Sequence, residues 1–483
     1  RKTKHGIAID ERDVPVNETY ITQVKNAPGI TVMAKSKWMN AVHVLGSEAD
    51  INELINLTFV DRVEFANRNL NTRVPEGVSD KFDLEDITVD FNYGTTKNQV
   101  EMLNLQALHE QDFTGAGVTI AVLDAGFPSV HTMSSFERLR NAGNLLNGYD
   151  FVDRTDDEFA FTGSTHGTKV LSTMAAFIED TYVGTSPDAQ YYLFRTEDVS
   201  SETPVEESYW VEAAERADSL GVDIINSSLG YKGFDNSAYS YTNADMDGQT
   251  TFVSKGASIA TEKGMLVVTS AGNAGTSGLL APGDAPNVFT IGAVDENGNY
   301  ISFSSQGSAI QPTIKPDVVA RGAASFVIGP NDIIVQNNGT SFSSPIMAGA
   351  MACLVQALPN LKNTDLMQLV RESASQYNTP DFLLGHGIPD FNAALENGLE
   401  LQMDEQEAFK VYPNPVVEML YMEFPEDVDL ARCLVFDILG QLILDTNVHH
   451  TDRSLRLESF ANGIYFVKVT QSEQVHTKKL VVR

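Results

Sequence analysis

Asp124, His166 and Ser341 supply, in that order along the chain, a carboxylate, an imidazole and a hydroxyl, the groups from which an activated serine nucleophile is built. Asp124 ends the apolar run 118–123 and precedes Ala125-Gly126, so its carboxylate falls at the carboxyl end of a strand, where reactive groups collect. An aspartate there also serves as an ordinary turn former. His166 precedes Gly167-Thr168 and an apolar helical stretch, which sets the imidazole at a helix start. Neutral near pH 7, such a group is a ready general base. His386, between Gly385 and Gly387, reads instead as part of a turn. Ser341 lies in Gly339-Thr340-Ser341-Phe342-Ser343-Ser344-Pro345, at the start of a helix running on through Ala348, Ala350 and Ala352. The unpaired amides and positive dipole end there favour an oxyanion on an acyl group under attack by this serine; an N-cap is the alternative role. Asn273, in Ala271-Gly272-Asn273-Ala274-Gly275, is a turn former by type, yet its amide is also a neutral donor suited to an oxyanion hole. The Gly-x-Ser-x-Gly elbow of the α/β-hydrolases does not occur.

These groups need a scaffold, and the chain has the length for one large domain with smaller flanking units: 483 residues. Apolar residues make up 42% and charged residues 20%, an ordinary globular balance. Lys and Arg total 33 against 65 Asp and Glu, a formal charge of -32, which argues against nucleic acid or an anionic membrane as partner. No apolar run is long enough to make a transmembrane helix. The sequence starts at Arg1 without an initiator Met, as a processed or trimmed end would. Cys353 and Cys433 fall in segments assigned to different domains, so no structural disulfide is expected.

The middle region, residues 92–401, alternates short apolar runs (118–123, 190–195, 222–226, 265–270, 288–293, 317–320) with amphipathic stretches (167–177, 206–220, 250–263, 341–358, 365–374). Strands buried on both faces and separated by helices predict an α/β, doubly wound parallel sheet with its chemistry at the strands' carboxyl ends. Ahead of it, residues 1–68 predict a small α+β unit: helix 16–27, extended residues 31–45, helix 48–57 and a strand over 60–66, with Ser47 and Asp50 as a capping box. Residues 69–91, polar and acidic with Pro75 and Gly77, read as a linker. Residues 407–483 switch to short strands and turns, the pattern of a small β-sandwich.

Taken together, Ile120-Ala121-Val122-Leu123-Asp124-Ala125-Gly126, His166-Gly167-Thr168, Ala271-Gly272-Asn273 and Gly339-Thr340-Ser341 with Pro345 resemble the motifs of the subtilisin family of serine proteases. The order Asp, His, Ser is the subtilisin order. The resemblance implies that Ser341 is the nucleophile, His166 the general base and then acid, Asp124 the group that orients the imidazole, and Asn273 an oxyanion donor beside the Ser341 amide. It further implies that Ser228-Leu229-Gly230, together with Ala271 and Gly272, pairs with an extended protein or peptide substrate. One departure stands out: Ala125 occupies a place where the family usually has Ser or Thr.

The resemblance requires no cofactor for the chemistry and leaves room for structural calcium, for which Asp235, Asp245 and Asp247 in the Tyr- and Asp-rich stretch 231–249 are weak candidates. Residues 1–68 are similar to the family's inhibitory propeptides through Trp38-Met39-Asn40-Ala41-Val42 and Phe59-Val60-Asp61-Arg62-Val63, with processing expected in the linker. Val411-Tyr412-Pro413-Asn414-Pro415, Phe436-Asp437-Ile438-Leu439-Gly440 and Gly463-Ile464-Tyr465-Phe466-Val467 resemble the type IX secretion sorting domain of Gram-negative bacteria. The secretion machinery is then a partner, and the destination, by way of the periplasm, is the surface or the medium. The expectation is a secreted serine endopeptidase; the alternative is a subtilisin-fold adhesion or binding protein that has lost catalysis.

Overall fold

A computed structural model describes residues 1–2, 6–66, 87–88, 94–407, 410–423, 430–438, 440–449, 452–457, 460–471 and 474–483. The expected processing linker, 69–91, lies outside these residues except for 87–88. The chain divides into a unit of residues 1–395 and a unit of residues 396–483.

The N-terminal part of the first unit contains α1 (Glu18–Lys25), the antiparallel hairpin of β1 (Thr31–Ser36) and β2 (Ala41–Leu45), and α2 (Glu48–Glu53). Ser47 caps α2 by accepting from Asp50 N at 3.2 Å, one half of the expected capping box; Asp50 Oδ2 accepts from Ser47 Oγ at 2.6 Å rather than from the Ser47 amide. The strand expected over 60–66 does not form. Its alternating pattern supplies a face but no ladder partner; Phe59 and Val63 pack on the small core of Val24, Ile30 and Leu54 instead, and Phe59 stacks on Tyr20.

The catalytic part is built on β3 (Thr119–Asp124), β4 (Tyr149–Asp150), α3 (His166–Ala175), β5 (Gln190–Arg195), α4 (Val205–Leu220), β6 (Ile224–Ser227), α5 (Phe252–Glu262), β7 (Leu266–Ser270), β8 (Phe289–Val294), β9 (Val318–Arg321), α6 (Thr340–Ala357) and α7 (Asn363–Glu372). The strands form one seven-stranded sheet in the order β9-β8-β7-β6-β3-β5-β4, with every pair parallel. Side-chain alternation splits the middle of the sheet between two cores. Ile120, Val122, Leu266 and Val268 join the core that includes residues of α3 and α6, whereas Ala121, Leu123, Val267 and Met265 join that of α4 and α5. The doubly wound prediction therefore holds, with the minor strand β4 and the hairpin 325–337 added.

A helix α8 (Phe391–Glu407) starts where Asp390 accepts from Ala393 N at 3.0 Å, and it runs through the expected boundary at 401–407 into the second unit. Beyond it, β10 (Lys410–Tyr412), β11 (Met419–Glu423) and β14 (Ser454–Arg456) make one antiparallel sheet. Strands β12 (Leu430–Asp437), β13 (Leu442–His449), β15 (Gly463–Gln471) and β16 (Gln474–Val482) make the other. Leu420, Met422, Cys433, Val435, Val467 and Leu480 are shared in one buried core, as a sandwich requires. Both cysteines are free and buried.

Candidate active site

Strand register brings the site together. Leu123 and Thr269 both pair with Ser227, so the segments that leave β3, β6 and β7 depart at one level of the sheet: Asp124, Ser228 and Ser270. Asp124 is fully buried, and its Oδ1 accepts from Ala125 N at 2.7 Å and from His166 Nδ1 at 2.7 Å. Two glycines permit that approach. Gly126 has φ +148°, and a Cβ on Gly167 would lie 2.5 Å from Gly126 O, so the first turn of α3 rests directly on the 125–127 backbone. His166 is 4% exposed, and its ring centroid is 5.9 Å from that of Phe342, which places it beside the start of α6. Asp124 Oδ2 is buried with no hydrogen-bond partner among the described residues; Ala125 offers it only a methyl group.

Ser341 follows Thr340, the first residue of α6, and Gly339 ahead of it has φ +148°. Pro345, one turn later, has no N–H to give to the Ser341 carbonyl. Ser228 Oγ fills that vacancy, donating to Ser341 O at 2.9 Å, while Ser341 Oγ donates to Ser228 O at 3.4 Å. The chain of bonds continues behind the site: Ser344 Oγ donates to Asn226 Oδ1 at 3.0 Å, and Asn226 Nδ2 donates to Ser228 Oγ at 3.2 Å. Helix α6 is thus fastened to the end of β6 by bonds that each involve a side chain. Ser343 and Ser344 are fully buried, and Ser343 Oγ donates to Thr340 O at 3.1 Å.

Asn273 is oriented from the same turn. Its Oδ1 accepts from Thr340 N and from Thr340 Oγ1, both at 2.9 Å. Two donors facing one atom identify it as the oxygen, so Nδ2 points away from Thr340 and is available to another acceptor. Gly272 N donates to Thr340 Oγ1 at 3.2 Å, which ties the 271–273 segment to α6.

The sequence-predicted residues of the triad, the oxyanion hole and the substrate segments thus lie around one rim. Sequence reasoning missed the side-chain roles of Ser228, Asn226 and Thr340. The spacing of Pro345 from Ser341 was the available signal, because a proline four residues on implies an orphaned carbonyl. The calcium candidates do not fit a metal cage. Asp245 accepts from Thr242 N and Asp247 from Gln249 N and Thr250 N as turn caps, and Asp235 accepts from Glu202 N, which ties its loop to the segment before α4. Among the described residues no group of three or more metal-ligating side chains occurs. His386 belongs to a turn whose backbone bonds to Asp317 O, and burial lowers its pKa.

A parallel sheet with an Asp–His pair and a helix-mounted serine at its carboxyl rim is the arrangement of a serine peptidase, and the subtilase family model matches residues 115–387. That is more than half of the 483 residues, and the chain belongs to this family of subtilisin-like serine peptidases. Subtilisin E of Bacillus subtilis (strain 168) is 30% identical over 305 residues, 62% of this chain and 70% of that protein. Subtilisin Savinase of Lederbergia lenta is 27% identical over 296 residues, 61% of this chain and 97% of that protein. Among solved structures, MycP1 with its N-terminal propeptide removed aligns with TM-score 0.49 and 23% identity over 62% of this chain and 96% of that one. A peptidase S8 propeptide domain of Bacteroidota matches residues 1–81, and a secretion system C-terminal sorting domain matches residues 410–483. The sorting domain marks the protein for type IX export, to the cell surface or the medium. Among the described residues no helix is long and apolar enough to cross a membrane.

Proposed function

We propose that the chain is an endopeptidase that cuts proteins through an acyl-enzyme, with Ser341 as nucleophile. The observation that carries this is the buried 2.7 Å Asp124–His166 pair beside the start of α6. On this reading Ser341 Oγ adds to the scissile carbonyl carbon while its proton passes to His166 Nε2. The oxyanion so formed accepts from Asn273 Nδ2 and Ser341 N, and Asp124 stabilises the imidazolium. The protonated imidazole then gives its proton to the leaving amine, and water repeats the sequence to free the acid. No metal takes part in any step. Residues 1–68 act as the intramolecular inhibitor, 69–91 carry the processing site, 92–401 hydrolyse, and 407–483 address the protein to the secretion machinery. Incubation with a fluorophosphonate probe and an unfolded protein tests the reading: an adduct on the Ser341 peptide together with proteolysis is expected. Binding of the protein without cleavage or adduct would favour the adhesion alternative.

The same geometry narrows the substrate. Segments 228–230 and 271–273 leave neighbouring strands side by side, and Leu280 lies between them: a Cβ on Gly230 would be 2.7 Å from Leu280 Cβ, and one on Gly272 2.7 Å from Leu280 Cγ. A peptide paired along 228–230, with its carbonyl at Asn273, sends the side chain before the scissile bond into that gap. With Leu280 packed against both glycines, the gap is expected to take Gly, Ala or Ser and to reject large apolar residues. Leu280→Gly is expected to raise kcat/KM for a Phe peptide relative to an Ala peptide by roughly 10- to 200-fold. Peptide-library digestion read by mass spectrometry checks this, and a wild-type preference for Phe or Leu would refute it.

A further inference from the structure

Among the described residues, the N-terminal part meets the catalytic part at two separate places. One is the outer face of α4, where Glu215 accepts from Ser36 Oγ at 2.6 Å, Lys37 N at 3.1 Å and Trp38 N at 3.1 Å. Trp38 and Ala34 join the core beneath that face. The second is at the carboxyl ends of α4 and α5, and the hydrolytic chemistry makes no use of it.

Lys263 follows the last residue of α5, with its side chain 1% exposed. Its Nζ donates to Asp10 Oδ1 at 2.9 Å and to Asp13 Oδ2 at 2.8 Å. These two carboxylates are held in place by their own turn: Asp10 Oδ1 accepts from Arg12 N at 2.9 Å, and Asp13 Oδ2 accepts from Asp10 N at 2.9 Å. Around this centre Arg12 Nη1 donates to Glu262 Oε2 at 2.7 Å, and Lys2 Nζ lies 3.1 Å from Asp218 Oδ2. Arg1 Nε donates to Lys263 O at 2.9 Å, and the same guanidinium bonds Asp218 and the Val222 carbonyl. Cations here also face the negative ends of two helix dipoles. Gly264, with φ +86°, completes the fit, because a Cβ there would lie 2.6 Å from Ile7 Cδ1.

An ammonium group so fully shielded is stable only while its carboxylates remain. Removing one side of such a pair leaves an uncompensated charge. We propose that the carboxyl ends of α4 and α5, centred on Lys263, form a second docking site, which binds the Asp10–Asp13 turn and sets how long the propeptide stays bound after the linker is cut. The inference rests on the reading of residues 1–68 as an inhibitor. On that reading the retention of the propeptide is governed by ion pairing at a distance from the active site.

The test uses the full chain. Hydrolysis of a chromogenic peptide is followed from the moment of dilution, and linker cutting is read by gel on the same samples. Wild type is expected to show a lag that outlasts cutting, and to show a shorter one at about 0.5 M salt than at about 0.05 M. The double variant Asp10→Asn/Asp13→Asn and the single variant Lys263→Met are expected to shorten the lag after cutting by about tenfold or more and to reach the wild-type final rate. Lys263→Arg is expected to retain most of the lag. The propeptide double variant leaves the mature enzyme unaltered, so it decides the matter even if Lys263→Met fails to fold. A wild-type chain with no lag at all would sink the inhibitory reading. A wild-type lag that the Asp10/Asp13 variant leaves unchanged, or shortens only by speeding the cut, would overturn the docking site while inhibition stands.

Discussion

Ser341→Ala is expected to lower kcat by roughly 10⁶, the scale known for the same replacement in subtilisin, while the protein melts as before. The fold has little to lose. The hydroxyl makes one long hydrogen bond, 3.4 Å to Ser228 O, whereas the clamp that holds the turn runs from Ser228 Oγ to the Ser341 carbonyl and survives the change. Alanine is also the better helix former. Active-site titration, steady-state kinetics and a thermal melt on the same preparation check all of this. If His166 and Ser341 work as a unit, as proposed, adding His166→Ala to Ser341→Ala is expected to cost almost nothing further. A variant within about tenfold of wild type would move the nucleophile elsewhere. Ser343 and Ser344 could not easily replace it, since both are buried and already donate to Thr340 O and Asn226 Oδ1.

Asp124→Asn carries the second-largest expected loss, roughly 10⁴ in kcat. A single carboxylate oxygen accepts from both Ala125 N and His166 Nδ1. An asparagine in the same place must either turn its NH₂ toward those donors, which forces the wrong imidazole tautomer, or keep its oxygen there and lose the charge that stabilises the imidazolium. Among the described residues the other oxygen has no hydrogen-bond partner, and Ala125 offers no hydroxyl to share the charge. Kinetics across pH, with melting as the control for folding, reads the loss. A decrease of less than about tenfold would return Asp124 to the role of a turn residue.

The parallel sheet and its helices were legible because their signals are local. Apolar runs of strand length alternate with amphipathic stretches of helix length, and each boundary shifts by only a few residues between expectation and structure. Asp124 and His166 could be placed for the same reason, one at a strand end and the other at a helix start. Residues 60–66 show where local reading stops, since alternation creates a face but cannot supply a neighbouring strand. Helix α8 was passed over because its stretch is acidic and contains Gly398, although Asp390 before Phe391 was a fair cap signal. The partnerships Ser228–Ser341 and Asn273–Thr340 join residues 113 and 67 positions apart. Leu280 between Gly230 and Gly272 is likewise a product of the assembled fold, with no spacing in the sequence that announces it.

Pro345 has a bearing on how the enzyme fails when heated. Helix ends ordinarily fray first, and a reactive group carried on a first turn would then drift long before the domain melted. Here that turn gave up its own bond and is anchored to the middle strand of the parallel sheet through Ser228 and Asn226. The serine is therefore expected to keep the thermal endurance of β6 rather than that of a helix tip, so that loss of activity on warming should coincide with separation of sheet from helix, the cooperative melting of the core itself.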